Sequence, residues 1–246
     1  MSLRYTCEGG VARLVLDAPE RRNALGFTTL SEIVRAVRCA EGSASCLVLS
    51  AEGPVFSAGA DFADLTGTSA DTEFDSAVTR ACEALRRSHL PVIVAVQGPC
   101  LGAAVDLVSS ADIVIATTAA RFEVPAIRLG ILYNPQALER MRGRLTGSLL
   151  RALMLGMPVT ATDAMAGGLV ARVVEPDALS TAVSDAIERL AQANRAAGGA
   201  TKELLNALDD GTFVPSQWHQ LRLRLLDTPD RYEAIASRKR PTATAS

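Results

Sequence analysis

Aromatic side chains are scarce in this chain: one Trp, three Tyr and six Phe among 246 residues. The core must therefore be filled by Val, Leu, Ile and Ala. Histidine is nearly absent, with only His89 and His219, and the five cysteines (Cys7, Cys39, Cys46, Cys82, Cys100) are odd in number, scattered, and form no C-x-x-C pair. A Cys/His zinc site is not expected, nor any other metal, and reduced thiols in a cytoplasmic protein are the expectation. Neither sign of charge dominates: 25 Lys and Arg face 27 Asp and Glu, for a net charge of −2, and the only basic block is a short "RKR" at 238–240. No nucleic-acid partner is expected of such a surface. No apolar run reaches membrane-spanning length, and "MSLRYTCEGG" lacks the basic-then-apolar layout of a signal peptide, so no membrane partner is expected either. A G-x-S-x-G elbow is missing, which argues against a serine hydrolase. What is present is a chain 48% hydrophobic, long enough for one large domain with a substantial core.

Short apolar stretches alternate with amphipathic ones. "LRYTCEGGVARLVLDAP" reads as two strands around the Gly9-Gly10 turn, and Leu30, Ile33, Val34 and Val37 carry helical spacing. Strands are predicted at 46–51, 91–96 and 112–117, a helix over 69–88, and a short helix in "GAAVDLVSS". This alternation indicates an α/β architecture. From about residue 177 the pattern is helical only, with turns expected at Gly198-Gly199, Gly211 and Pro215 and no order expected of the tail "PTATAS". The expected division is a core over 1–190 and a helical region over 191–246.

Chemistry concentrates in two stretches. In "VFSAGADFADL", 55–65, small side chains let a ligand approach backbone N–H groups closely. In "GPCLGAAVDLVSSADIVIAT", 98–117, a helix starting near Gly102 would offer N–H groups without intrahelical partners. Two such sources converging would make an oxyanion hole for the charge that develops on a carbonyl oxygen. Ala103 and Asp106 are three residues apart and share a helix face, so the Asp106 carboxylate would sit beside that carbonyl, where a general acid or base is needed.

Five stretches, "PERRNAL" (19–25), "FSAGADFADL" (56–65), "PVIVAVQGPCLGAAVDLVSSADI" (91–113), "FEVPAIRLGI" (122–131) and "GMPVTATDAMAGGLVARVV" (156–174), stand in an order and spacing that resembles the enoyl-CoA hydratase/isomerase, or crotonase, family. The resemblance spans nearly the whole chain, including "DRYEAIASRKRP". It implies a crotonase-like spiral of ββα turns with a C-terminal helical trimerisation region that also serves as a pocket lid, assembling as a homotrimer or dimer of trimers. It implies an acyl-CoA or enoyl-CoA thioester as ligand, CoA being part of the substrate and no separate cofactor being needed. The oxyanion donors would be the amides of Ala60 and Ala103, following Gly59 and Gly102. Arg22, Ala24, Ala58, Gly59, Asp61 and Phe62 would meet the CoA moiety. The first catalytic acid of a hydratase falls on Asp106, the second on Ala126, which transfers no proton, and the acid of dienoyl-CoA isomerases on Asn134. Glu123 would replace the missing acid only through a rearranged loop.

The remaining polar residues have plainer readings. Asp61 and Asp112 are expected to be structural, His89 an ordinary residue at a strand entrance, and Met154, Met157 and Met165 core filling. Arg21 and Arg22 either meet CoA phosphates or are solvated, and Cys100 has no base beside it. For Asp106 the plain alternative is a helix-surface or ion-paired carboxylate. Three functions are compatible with these residues: an enolate-forming thioester enzyme with Asp106 as sole acid/base, for which double-bond isomerisation is better suited than hydration; a catalytically silent acyl-CoA-binding protein with the same pocket; and a decarboxylase or related lyase.

Overall fold

A computed structural model describes residues 2–239; the tail 241–246, for which no order is expected, lies outside them. Among the described residues nine strands form two sheets. The larger has the order β1-β2-β3-β4-β6-β9, from Leu3–Glu8 (β1), Val11–Leu16 (β2), Cys46–Ala51 (β3), Val92–Val96 (β4), Ile113–Thr117 (β6) and Arg172–Val174 (β9). Its first pair is an antiparallel hairpin and its other pairings are parallel. The smaller sheet joins Cys100–Leu101 (β5), Arg121–Glu123 (β7) and Val159–Thr160 (β8).

Period-2 alternation assigns the two faces of the large sheet. Leu47, Leu49, Val92, Val94 and Val96 enter the main core beneath Phe27–Glu41 (α1), Thr72–Arg87 (α2) and Ala103–Ser109 (α3). Cys46, Val48, Ile93, Ala95 and Ile115 point the other way and are covered by Leu179–Ala191 (α7, so numbered after Pro135–Arg142 as α4, Gly147–Met154 as α5 and Ala161–Ala166 as α6) through Ala182 and Val183. The helices Arg195–Asp209 (α8), Pro215–Leu226 (α9) and Pro229–Lys239 (α10) follow.

Docking of α8 is polar. Lys202, buried, donates to the Leu85 and Leu90 carbonyls and ion-pairs with Asp112, while Arg86 holds both carboxylate oxygens of Asp210. Asp112 also accepts from the Val92 amide, a structural part as expected. Two expectations fail. Gly198 and Gly199 lie inside α8 rather than in a turn; at Gly199 a Cβ would stand 3.2 Å from the His89 carbonyl, so the small residue lets the helix approach the body. Met157 and Met165 are exposed, not core filling. Among the described residues no helix is long and apolar enough to cross a membrane.

Candidate active site

Two loops are welded together first. Asn23, buried and at φ 53°, accepts from the Ala18 amide and donates to the Glu52 and Val55 carbonyls. The Ser57 hydroxyl donates to the Asn23 carbonyl and accepts from the Gly59 amide. Ala58 donates its amide to the Arg22 carbonyl, and Leu25 and Asp61 bridge across Gly59–Ala60. This lattice aligns 22–25 with 57–61. Asn23 and Ser57 lie inside the stretches "PERRNAL" and "FSAGADFADL", but carrying no charge they gave no sign of the roles they have here.

The third strip is 100–103. Leu101 donates to the Ser57 carbonyl and Gly102 to the Glu123 carbonyl, both within hydrogen-bond distance at 3.0 and 2.8 Å. A Cβ built on Gly59, whose φ is 86°, would stand 2.6 Å from the Leu101 carbonyl oxygen and 3.4 Å from the Ala103 amide nitrogen. Only glycine allows that approach. Gly102, at φ 55° and ψ −125°, turns the chain so that α3 begins at Ala103. As first residue of the helix, Ala103 has an amide without an intrahelical acceptor. Gly59 and Asp61 both spend their amides within the chain, and among the described residues the Ala60 amide between them has no backbone acceptor. Two uncommitted donors therefore flank the Gly59–Gly102 contact, both half-buried.

Asp106 lies one turn along α3, 1% exposed. Its Oδ2 accepts from Arg140 Nη2 at 2.7 Å, and its Oδ1 is buried with no hydrogen-bond partner. Burial pushes the carboxyl above the ordinary carboxylate range, while Arg140 pulls it down. Arg140 remains charged: burial lowers its pKa, but the groups around it, Asp106 first and then Cys82 and Glu83, together more than compensate. The Cys82 thiol, on α2, sits beside Asp106 and Ser110 and is pushed well up by burial and then by the carboxylate. Tyr133 donates to the Gly102 carbonyl, and its phenol too is raised by burial and by Asp106. Neither Arg140 nor Tyr133 was expected. An arginine near the end of an amphipathic helix reads as solvated, and only the tertiary fold turns this one inward beside Ala137 and Met141.

The other expected positions are as follows. Ala126 is buried at the start of a 3-10 turn, Pro125–Leu129. Glu123 pairs with Arg128, its carboxylate 2.6 Å from Nη1. Asn134 caps α4, accepting from the Gln136 amide and donating to Thr79 Oγ1, so both ends of its amide are used. The signal for this cap, Asn before Pro at a helix start, was present in the sequence. Arg22 and Phe62 are exposed, Ala24 and Ala58 half-buried. Asp61 ion-pairs with Arg21 and accepts from the Ala63 amide, the structural use expected of it. Burial raises the Cys100 thiol, with no charged neighbour to activate it. Among the described residues no three His, Cys, Asp or Glu side chains gather as a metal site would.

The sequence profile of the enoyl-CoA hydratase/isomerase family matches residues 6–227. The chain belongs to that family. It is 30% identical over 245 residues to the rat "Enoyl-CoA hydratase domain-containing protein 3, mitochondrial", covering 95% of this chain and 81% of the relative. The crystal structure of an enoyl-CoA hydratase/carnithine racemase from Magnetospirillum magneticum superposes with a TM-score of 0.90 at 28% identity, over 100% of this chain and 96% of that one. Human enoyl-CoA hydratase domain-containing protein 3, at 22% identity, shares the fold with a TM-score of 0.87 over 96% of each chain. The α/β body with helices following is thus the fold of this family.

Proposed function

We propose that this protein acts on acyl-CoA thioesters through an oxyanion-stabilised enolate, with the amides of Ala60 and Ala103 as donors and Asp106 as sole acid/base. One observation carries the reading: two uncommitted amides flank the Gly59–Gly102 contact, and an unpartnered carboxylate oxygen lies one helical turn behind. Amides fixed by the fold stabilise a developing oxyanion without reorganising. Hydration needs a water activated at one carbon and a proton delivered to the next. With Ala126 at the second position, isomerisation, in which one carboxylate moves a proton between two carbons, is favoured. The strip Arg22, Ala24, Ala58, Gly59, Asp61 and Phe62 meets the CoA moiety, and the chain assembles as a trimer or dimer of trimers. All five cysteines are free, which fits a reducing compartment. The cytoplasmic expectation is carried no further, since the rat relative is named as mitochondrial.

A second reading is favoured by the Arg140 ion pair: a carboxylate already committed to a guanidinium is a poorer base, and a silent acyl-CoA-binding protein needs only the amides. Turnover of short enoyl-CoAs and calorimetric binding of saturated acyl-CoAs separate the two, in wild type and Asp106→Asn. The enzyme reading expects wild-type turnover that falls by about 10²-fold or more in the variant, with affinity little changed. Binding by both proteins without turnover by either selects the silent binder. Failure of both to bind any acyl-CoA, short or long, defeats both readings.

A further inference from the structure

Asp106 is surrounded on every side from which α3 is packed. From α2 come the Cys82 thiol and, one residue on, Glu83; from the segment before α4 comes the Tyr133 phenol; from α4 itself comes Arg140. Cys100, on β5, feels burial alone. Of these neighbours only Arg140 bears a positive charge. It touches one carboxylate oxygen and leaves the other bare. On its own far side Arg140 Nη1 stands 4.0 Å from Glu83 Oε1, and Glu83 in turn pairs with Arg87. Glu83 and Arg140 both border a cleft of about 640 Å³ between α2, α4 and the end of α8. Charges therefore alternate from that cleft inward: Arg87, Glu83, Arg140, Asp106.

We propose that Arg140 is the positioning residue of the site, fixing Asp106 through Oδ2 so that Oδ1 is the oxygen left to exchange a proton, with Glu83 weakening that hold from behind. This rests on the reading of Asp106 as acid/base. Arginine is always charged and cannot itself carry the proton. Its effect is on where Asp106 points and how readily it ionises: a buried carboxylate without a partner takes up a proton instead of staying charged. Glu83 acts in the opposite sense, because its negative charge disfavours a second carboxylate nearby and competes for the guanidinium.

The test follows the titration of Asp106 by ¹³C NMR in the full-length protein labelled at aspartate, the resonance assigned by its loss in Asp106→Asn. In Arg140→Met the affinity of Asp106 for its proton should rise by on the order of tenfold or more, and Arg140→Lys should restore much of the difference. Glu83→Gln should move the titration the other way, to lower pH. The acid limb of any enoyl-CoA pH–rate profile should move in the same directions. An unchanged Asp106 titration in folded Arg140→Met overturns the proposal. Should Arg140→Met not fold, Glu83→Gln decides, and a titration there that stays put or moves upward overturns it. The NMR readout does not depend on turnover. Opposite movements in a protein that converts no enoyl-CoA would leave Arg140 as the residue that sets Asp106 and defeat only the enzymatic reading.

Discussion

Asp106 is 1% exposed and has one guanidinium against one of its two oxygens. Taking a carboxylate from water costs several kcal/mol, and an ion pair in the interior offsets that only when its geometry is good. The direction of the pKa says which side prevails here: burial raises it although Arg140 opposes. Folded Asp106 thus holds its proton more tightly than unfolded Asp106. Its contribution to stability is complete below the unfolded value of 3.8 and is lost as pH rises through the raised folded value. Asp106→Asn cannot titrate, so the Tm difference between the two proteins isolates this group. Scanned from about pH 3 to about pH 8, the difference should shift against the wild type across that window and be flat above it. A pH-independent difference would contradict the raised pKa. At Gly59, φ is 86° and an added Cβ would meet the Leu101 carbonyl at 2.6 Å. Gly59→Ala should therefore push the two amide-bearing strips apart, weakening saturated acyl-CoA binding by on the order of tenfold or more. Calorimetry with the folded variant checks this, and unchanged affinity would remove Gly59 from the site. At this scale the sequence reading had reach and a blind spot. Small residues around one acid marked Asp106 because burying a charge demands an explanation, but the partner that supplies it comes 34 residues later, on another helix, with no local signal.

Elements long enough to show a period were legible. The strands 46–51, 91–96 and 112–117 and the helix α2 lie within a residue or a few of their expected bounds, and α1 contains the four apolar residues with helical spacing, because burial on one or both faces writes itself into the pattern. The second sheet was not legible: β5, β7 and β8 are two or three residues each, too short for any period, and their pairing is fixed by contacts distant in sequence. Nor was the docking of α8. Its Gly198-Gly199 pair has the composition of a turn, but Lys202 and Arg86 hold this segment as a helix against the body. Lys202 is 6% exposed and its three acceptors are the Leu85 and Leu90 carbonyls and Asp112. Burial lowers its pKa and Asp112 opposes the shift. Lys202→Met removes the charge, leaves two carbonyls without this donor and leaves Asp112 with only the Val92 amide. We expect a loss of about 3 kcal/mol, read as a lower urea midpoint. Because the damage is at the α8 anchor, acyl-CoA affinity below the transition should change far less than in Gly59→Ala. A midpoint equal to that of the wild type would show that α8 docks without this lysine.

For the whole molecule the telling feature is large apolar side chains left exposed in several places, two of which are set out here. Ile127, Leu129, Ile131 and Leu132 (86% exposed) lie in the segment that packs against Gly156, beside exposed Leu155 and Met157. Leu223, Tyr232 and Ile235 are exposed on α9 and α10. Contiguous apolar patches on a soluble protein usually mark contacts. A two-fold dimer is satisfied by one self-complementary patch. Two different patches fit a heterologous contact, in which one face of each copy meets the other face of the next, and such contacts close into rings. The trimer, or two stacked trimers, proposed above from the family resemblance is a closed ring of this kind, and sedimentation velocity at micromolar concentration should show it. A stable monomer at that concentration would contradict it. The ring geometry has a sharper consequence. Leu132→Asp and Tyr232→Asp each spoil one face and leave the other intact, so each variant alone should sediment as a monomer. Mixed, they can join once, through the intact face of each, and then go no further: the mixture should give a one-to-one dimer and no trimer. If either variant alone still forms the wild-type species, its face is not the contact; if the mixture restores a trimer, the contact is not head-to-tail.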